Sequence, residues 1–309
     1  MANFYGQYVG FGAGTTVTGP TFGGSTRGYA ASGANPYNNI INRISFTSDT
    51  NAVDVGDLLE TRQTAAGTTH IENHGYWHGG YSTTDLIERM SFSAEGNTTD
   101  VGNLTSARRE CGANSSETHG FCHSGYNNNE IERYAYASSA DAVDVGDATQ
   151  ATYYAGGCTD LTNAYGYISG GWISAAIDII ERYAFASSAD GADVGDLEIA
   201  GGQTGNASSA THGYDFGQGQ SPVTNIIQKF AFAATSAGSD IANMTVDRYG
   251  CNGLSSTTHG YSCGGGNSSG GSDALNVVDK FAMASDSDAT DVGDLSQAAG
   301  FMGPTGTQY

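Results

Sequence analysis

Apolar residues recur along this chain in short runs with a period of two, and the clearest run returns six times. In Ile131-Glu132-Arg133-Tyr134-Ala135-Tyr136, one face carries Ile131, Arg133 and Ala135, and the other carries Tyr134 and Tyr136. The equivalents of Ile131 are Ile41, Ile87, Ile180, Ile227 and Val278, and those of Tyr134 are Ile44, Met90, Tyr183, Phe230 and Phe281. A strand with both faces occupied belongs to a sheet covered on both sides. Around it, Glu110 to Thr149 holds three further short segments, Cys111 to Ser116, His119 to Gly125 and Val143 to Asp147, separated by Gly, Ser and Asn clusters. This is the spacing of successive antiparallel strands. Four strands per unit, with about 40–50 residues between units, predict an all-β propeller of six blades.

The count of six comes from charge as well. A basic residue is followed eleven positions later by an aspartate in Arg43/Asp54, Arg89/Asp100, Arg133/Asp144, Arg182/Asp193, Lys229/Asp240 and Lys280/Asp291. Successive basic members lie 46, 44, 49, 47 and 51 residues apart, so the spacing inside a unit holds while the loops drift. With the cation on the third strand and the aspartate on the fourth, a regular hairpin sets them opposite each other on one face. An ion pair within every blade is therefore expected, structural because it recurs in units whose loops differ.

The second strand repeats around Gly28, Gly75, Gly120, Gly166, Gly213 and Gly260, each followed by Tyr or Phe and usually by a glycine or Ser-Gly pair. Pro20 to Ser25 and the tail from Gly300 to Thr305 both look like a first strand, so one terminus is expected to complete the ring and hide its edges. The expected organisation is an arm over residues 1–14 and a single propeller domain over 15–309.

Composition narrows the partners. The 309 residues carry 11 Lys+Arg against 32 Asp+Glu, a formal charge of −21. Nucleic acid needs clustered cations, and an anionic membrane surface needs a basic face; neither is expected here. No stretch approaches the roughly 18 apolar residues of a spanning helix, so no membrane insertion is expected. The first ten residues have no basic and apolar regions of a secretory signal. The surface is nonetheless acidic, rich in Ser, Thr and Asn and nearly lysine-free, as suits an extracellular protein.

The pattern of aromatic strand, diglycine, short loop and aromatic strand resembles the kelch repeat over about residues 18–297. Kelch blades usually carry a tryptophan in the fourth strand, where this chain has Asp-Val-Gly-Asp. Its Thr-His-Gly-Tyr, Ile-Glu-Arg-Tyr and Asp-Val-Gly-Asp-Leu units look like those of kelch-like proteins encoded by phages. That resemblance implies a fibre, spike or other appendage protein of a virion.

Candidate chemistry is sparse. His74, His119, His212 and His259 share one repeat position and are read as structural; His78 and His123 form a second position, with His70 nearby in sequence. Cys111, Cys122, Cys158, Cys251 and Cys263 are odd in number and are read as buried thiols, although Cys111/Cys122 and Cys251/Cys263 could face each other across two strands. No Cys-x-x-Cys supports zinc. Asp141, Asp144 and Asp147, Asp190, Asp193 and Asp196, and Asp286, Asp288, Asp291 and Asp294 cluster before and within the fourth strand. They are read as turn formers, with Ca²⁺ ligation as the alternative and no other cofactor expected. No serine-hydrolase elbow, Walker loop or dinucleotide fingerprint occurs.

The expected function is non-enzymatic: a virion appendage, located on the particle and so extracellular, whose propeller binds host-surface glycans or docks to other virion subunits, the latter through residues 1–14. Trp77, His78, Tyr81 and Trp172, in the loops after the diglycines, are the candidate ligand contacts, because aromatic faces stack on sugar rings. The alternatives are a glycan-active lyase or hydrolase using clustered Asp and His, and a cellular extracellular adhesion or filament protein.

Overall fold

The computed structural model describes residues 24–70, 73–81, 84–219, 222–233, 237–267 and 273–308. Its strands form six separate sheets of four, all antiparallel. Blade one holds β1 (Arg27–Gly33), β2 (Asn38–Ser45) and β3 (Val53–Asp57); blade two, β4 (Ala66–His70), β5 (His74–His78), β6 (Thr84–Ser91) and β7 (Thr99–Arg108). Blade three holds β8 (Gly112–Ser115), β9 (His119–His123), β10 (Glu130–Ala135) and β11 (Val143–Asp147); blade four, β12 (Gly156–Asp160), β13 (Tyr165–Ser169), β14 (Ile179–Ala184) and β15 (Ala192–Asp196). Blade five holds β16 (Gly205–Ser208), β17 (His212–Gln218), β18 (Thr224–Ala231) and β19 (Ser239–Asn243); blade six, β20 (Asn252–Ser255), β21 (His259–Cys263), β22 (Val277–Ala282) and β23 (Thr290–Asp294). This is the expected six-bladed propeller. Among the described residues no helix is long and apolar enough to cross a membrane.

The C-terminus closes the ring. β24 (Thr307–Gln308) takes the first-strand place in blade one, pairing Tyr29 with Thr307 and Gly28 with Gln308. The first strands touch in sequence around the axis, from β4 through β8, β12, β16 and β20 to β24 and back to β4. Hydroxyls lace this inner hoop: Gln308 N donates to Thr69 Oγ1, Thr69 N to Ser115 Oγ, Ser115 N to Thr159 Oγ1, Thr159 N to Ser208 Oγ and Ser208 N to Ser255 Oγ. The expected arm over residues 1–14, and most of the Pro20–Ser25 segment, lie outside the described residues.

Blades pack through aromatic side chains. The second-strand aromatic of one blade stacks on the aromatic just after the third strand of the next: Tyr76 on Tyr136 at 4.8 Å, Phe121 on Phe185 at 4.7 Å, Tyr167 on Phe232 at 4.8 Å, Tyr261 on Phe46 at 4.7 Å. The preceding glycine makes room within each blade. A Cβ on Gly120 would sit 2.4 Å from Tyr134 Cζ, and one on Gly260 2.2 Å from Phe281 Cζ. A side chain there would expel the ring that fills the sheet face.

The expected intrablade ion pairs do not form: Arg43/Asp54, Arg89/Asp100, Arg133/Asp144, Arg182/Asp193, Lys229/Asp240 and Lys280/Asp291 are all corrected. The register begins as the spacing demands, with Ile131 opposite Gly146, but a β-bulge then slips it by one residue. Arg133 faces Val143, and Asp144 faces Glu132, which puts cation and aspartate on opposite faces. The same slip occurs in all six hairpins. The aspartate builds the bulge: Oδ1 of Asp54, Asp100, Asp144, Asp193 and Asp291 accepts the amide of the glycine two residues on, at 3.0–3.2 Å. That glycine has φ near +150°, and a Cβ on Gly146 would lie 2.7 Å from Ala189 O of the next blade. Asp-x-Gly is thus a device for bringing strand four onto its neighbour.

Asp240 departs from the expectation in a second way. It does not pair with Lys229: the slipped register sets Asp240 opposite Gln228 and Lys229 opposite Ser239. Nor does blade five have the Asp-x-Gly device, because Ala242 stands where the other five blades have glycine. The Asp240 side chain is exposed, and its backbone amide donates to Glu198 Oε2 of the preceding blade at 2.6 Å. The slip therefore belongs to the hairpin geometry, and the aspartate-to-glycine bond reinforces it where glycine is present.

Three of the six basic residues reach across the junction instead. Arg43 pairs with Glu95 at 2.7 Å, Lys229 with Asp286 at 2.5 Å and Lys280 with Asp49 at 2.5 Å, always on the following blade. Blades three, four and five have Ser139, Ser188 and Thr235 at that acidic position, and Arg182 lies over Tyr165 of its own blade, 4.6 Å from the ring centre.

A six-fold clasp does exist, one residue earlier. The side chains of Glu88, Glu132, Glu181, Gln228, Asp279 and Asn42, all buried, accept backbone amides of the preceding blade (Leu59, Thr105, Thr149, Ile199, Thr245 and Ser296) at 2.7–2.9 Å. At three junctions a buried arginine completes it: Arg62 with Glu88, Arg108 with Glu132, and Arg248 with Asp279 at 2.7 Å. Where no such arginine sits, blades five and one use neutral Gln228 and Asn42; blade four keeps Glu181, whose carboxyl burial pushes above the usual range. Removing the carboxylate from a buried pair strands the guanidinium, so Glu88→Gln should cost about 3–5 kcal/mol. Glu181→Gln, which reproduces Gln228, should cost less than about 1 kcal/mol. Denaturant unfolding of both variants tests this, and equal losses would contradict it.

Candidate functional site

Two regions break the sixfold repetition. The first lies on the loops between strands two and three and on the lead-ins to the first strands. The residue after the glycine pair is Tyr81, Tyr126 and Trp172 in blades two to four, but Gly219, Gly266 and Ala34 in the others. Backbone bonds pin each of these aromatics to the neighbouring lead-in: Tyr81 N donates to Gln63 O at 2.8 Å, Tyr126 N to Arg109 O at 3.2 Å, and Trp172 N to Tyr153 O at 2.9 Å. The side chains then follow one another. Arg109 Cζ lies 4.9 Å from the Tyr81 ring centre and 4.3 Å from that of Tyr126. Tyr126 meets Tyr153 at 5.6 Å, and Tyr153 meets Tyr154 at 5.5 Å.

The result is an aromatic ledge with a guanidinium between two phenol rings, a cation–π sandwich. Tyr126 is 48% exposed, and Tyr81, Arg109, Tyr153 and Trp172 are half-buried. Beneath it Glu110 accepts the Tyr154 hydroxyl at 2.8 Å, and burial raises both groups above their ordinary values. Rigid rings with polar tips beside a guanidinium can stack on a sugar face while bonding to hydroxyls or a carboxylate.

Of the four contacts expected from sequence, two lie beyond the glycine pairs: Tyr81 borders Arg109, and Trp172 is tied to Tyr153 through its backbone. Trp77 and His78 are fully buried at blade junctions and offer no face to a sugar, which corrects their assignment. Alternation is the reason: Tyr76, Trp77 and His78 lie inside a strand covered on both sides, and the loop begins only after Gly80. Arg109, Tyr126, Tyr153 and Tyr154 were missed, although Tyr126 follows its Ser-Gly pair as Tyr81 and Trp172 follow their glycine pairs.

The clustered aspartates serve the junctions. Oδ1 of Asp141, Asp190 and Asp288 accepts amides of Asn103, Asp147 and Asn243 from the preceding blade at 2.9–3.1 Å. His119, His212 and His259 each bond through Nδ1 to the preceding threonine hydroxyl at 2.8 Å, and burial lowers their pKa. All five cysteines are free and buried.

The second region is internal. At each junction the last residue of the second-strand core meets two residues of the next blade, and the chemistry differs each time. Blades one and two bring together Ala31, Ala65 and Trp77 in an apolar plug. Blades two and three place His78 beside Cys111 and Cys122. The corresponding residues of blades three and four are His123, Ala155 and Ile168. Blades four and five set Ser169 and Thr204 on Asp215, whose Oδ2 accepts both hydroxyls, at 2.9 and 3.1 Å, and Asn206 Nδ2 at 3.0 Å. Burial still dominates for Asp215 and raises its pKa to about 7.

That shift has a direction in pH. A carboxyl at about 3.9 in the unfolded chain and about 7 when folded gives stability that is full below pH ~4 and is lost as pH rises through 7. The loss is on the order of 4 kcal/mol. Asp215→Asn should flatten this part of the stability profile between pH 4 and 8. Parallel profiles for the two proteins would refute the assignment.

No protein-family model matches the chain, and no curated protein matches its sequence.

Proposed function

We propose that the protein is a non-enzymatic adhesion module that holds glycans on the ledge formed by Tyr81, Arg109, Tyr126, Tyr153 and Trp172. One observation carries this reading. Aromatics at least partly open to solvent, Tyr81, Tyr126 and Trp172, stand at one loop position on blades two to four, where the other blades have glycine or alanine. Tyrosine and tryptophan held by backbone bonds lose little entropy on binding, and aromatic anchors dominate contact energies. The sandwiched Arg109, in a chain of formal charge −21, favours an acidic sugar, since its guanidinium matches a carboxylate.

The setting we infer is a virion appendage. The resemblance of the repeats to kelch-like units of phage proteins supports it, as does the acidic, lysine-poor surface. On this reading residues 1–14 dock to neighbouring subunits of the particle. The alternative of a lyase or hydrolase built on clustered Asp and His draws less support. The Asp-x-Gly aspartates and the histidines of the Thr-His-Gly position are engaged in bulges, junctions and threonine bonds.

Glycan-array binding by the full chain tests the site. Tyr126→Ala combined with Trp172→Ala should weaken binding by about 10- to 100-fold, while Tyr126→Phe, which keeps the ring, should stay near wild type. Full retention by the double variant would remove the ledge from consideration. Release of cleaved sugar on incubation with the bound polysaccharide would replace adhesion by catalysis.

A further inference from the structure

The junction of blades two and three holds a cluster that the adhesion reading does not use. A ring nitrogen of His78 and the thiols of Cys111 and Cys122 all lie within 4.8 Å of one another. All three side chains are fully buried. They come from separate segments: His78 ends β5, Cys111 immediately precedes β8, and Cys122 lies in β9. Within blade three, Ala113 is opposite Cys122, so Cys111 is its diagonal neighbour on the same face.

The imidazole is already oriented. His78 Nδ1 lies 3.1 Å from the Tyr134 hydroxyl, which also bonds Thr68 Oγ1 at 2.5 Å, and the His78 ring stands edge-on to Tyr134 at 5.7 Å. Nε2 is buried and has no hydrogen-bond partner. A histidine with one nitrogen fixed by an outer oxygen and the other free beside two thiols is the arrangement of a metal ligand with its supporting shell.

We propose that His78, Cys111 and Cys122 form a binding site for a borderline-soft d¹⁰ cation, zinc(II) foremost, between blades two and three. Zinc takes sulfur at about 2.3 Å and imidazole nitrogen at about 2.0–2.1 Å, which sets ligand atoms roughly 3.5–4 Å apart. Side-chain rotation closes the remaining gap. Binding releases two thiol protons, and two thiolates with a neutral imidazole cancel the charge of a divalent ion, as burial requires. The neighbouring Arg108 is already matched by Glu132 and by Glu130 at 2.8 Å, so it leaves no unpaired cation to repel the ion.

The repeat supplies the controls. Position by position, blades two and four carry Ala65 and Ala155 where Cys111 stands, and blade six carries Ser262 where Cys122 stands. Cys111→Ala and Cys122→Ser therefore install residues that the same fold already accepts. His123 is the equivalent of His78 one blade on, where Ala155 and Ile168 replace the two cysteines.

The experiment is titration of reduced, metal-free full chain with cobalt(II) as a spectroscopic probe, then with zinc(II) against a chelator. Expected are one ion per chain, thiolate-to-cobalt absorption, displacement by zinc, and a raised Tm. Cys111→Ala and Cys122→Ser should each weaken zinc by roughly 100-fold or more, and His123→Gln should leave it unchanged. Absence of the thiolate band, undiminished binding by both cysteine variants, or a Cys111–Cys122 disulfide in the protein isolated without reductant would overturn the proposal.

Discussion

Everything in this ring depends on how one blade holds the next without a covalent tie, and the answer is a buried side chain that caps a neighbour's backbone. The third-strand residue just before each basic position reaches back across the junction and accepts an amide where the preceding blade leaves its fourth strand. That amide would otherwise be buried without a partner, which costs about as much as a lost hydrogen bond. The clasp fixes the spacing of the junction, and the stacked aromatics fill what it spaces.

Charge at the clasp is matched locally. Arg62, Arg108 and Arg248 occur where the accepting residue is Glu or Asp, and Gln228 and Asn42 replace the acid at two of the three junctions without the arginine. Glu181 is the exception, and its raised pKa is the physical sign of it. Three of eleven cations are thus committed to the interior and are screened little by salt. The outer pairs differ: Asp286 and Asp49 are 55% and 59% exposed, so Lys229 and Lys280 contribute modestly through them.

Most of the fold was legible because a repeat states its own register six times. Period-two faces, second-strand glycines and the cation-to-aspartate spacing set the blade count and strand order correctly. The same spacing misled about pairing, since a bulge adds one residue and turns every later side chain to the other face. Asp-x-Gly was in plain view, but whether it makes a bulge or a turn depends on what the glycine packs against, here the backbone of another blade. Asp240, with no glycine after it, kept the spacing and so hid that its blade makes the same slip unaided. Trp77 was misplaced for a related reason. Sequence showed an aromatic near a diglycine but not that the loop begins after Gly80, whereas Tyr81 and Trp172, beyond the glycines, were placed in the loop correctly. The junction triads were not legible, because they join residues about 30–45 positions apart that only blade-to-blade packing brings together.

The ledge and the His78–Cys111–Cys122 triad fall on the same sector, and the chain connects them. Arg109, Glu110 and Cys111 are consecutive in the lead-in to β8: the first lies between two rings of the ledge, the second holds Tyr154, and the third belongs to the buried triad. A lead-in anchored at Cys111 cannot shift without moving the guanidinium two residues away. An ion held by His78 and the two thiols would draw blades two and three together directly beneath Tyr81 and Tyr126, the rings that sandwich Arg109. Preorganisation of that kind raises affinity by cutting the cost of ordering the site, without adding a contact to the ligand. The interior triad and the exposed ledge are then one device, the first setting the stiffness of the second.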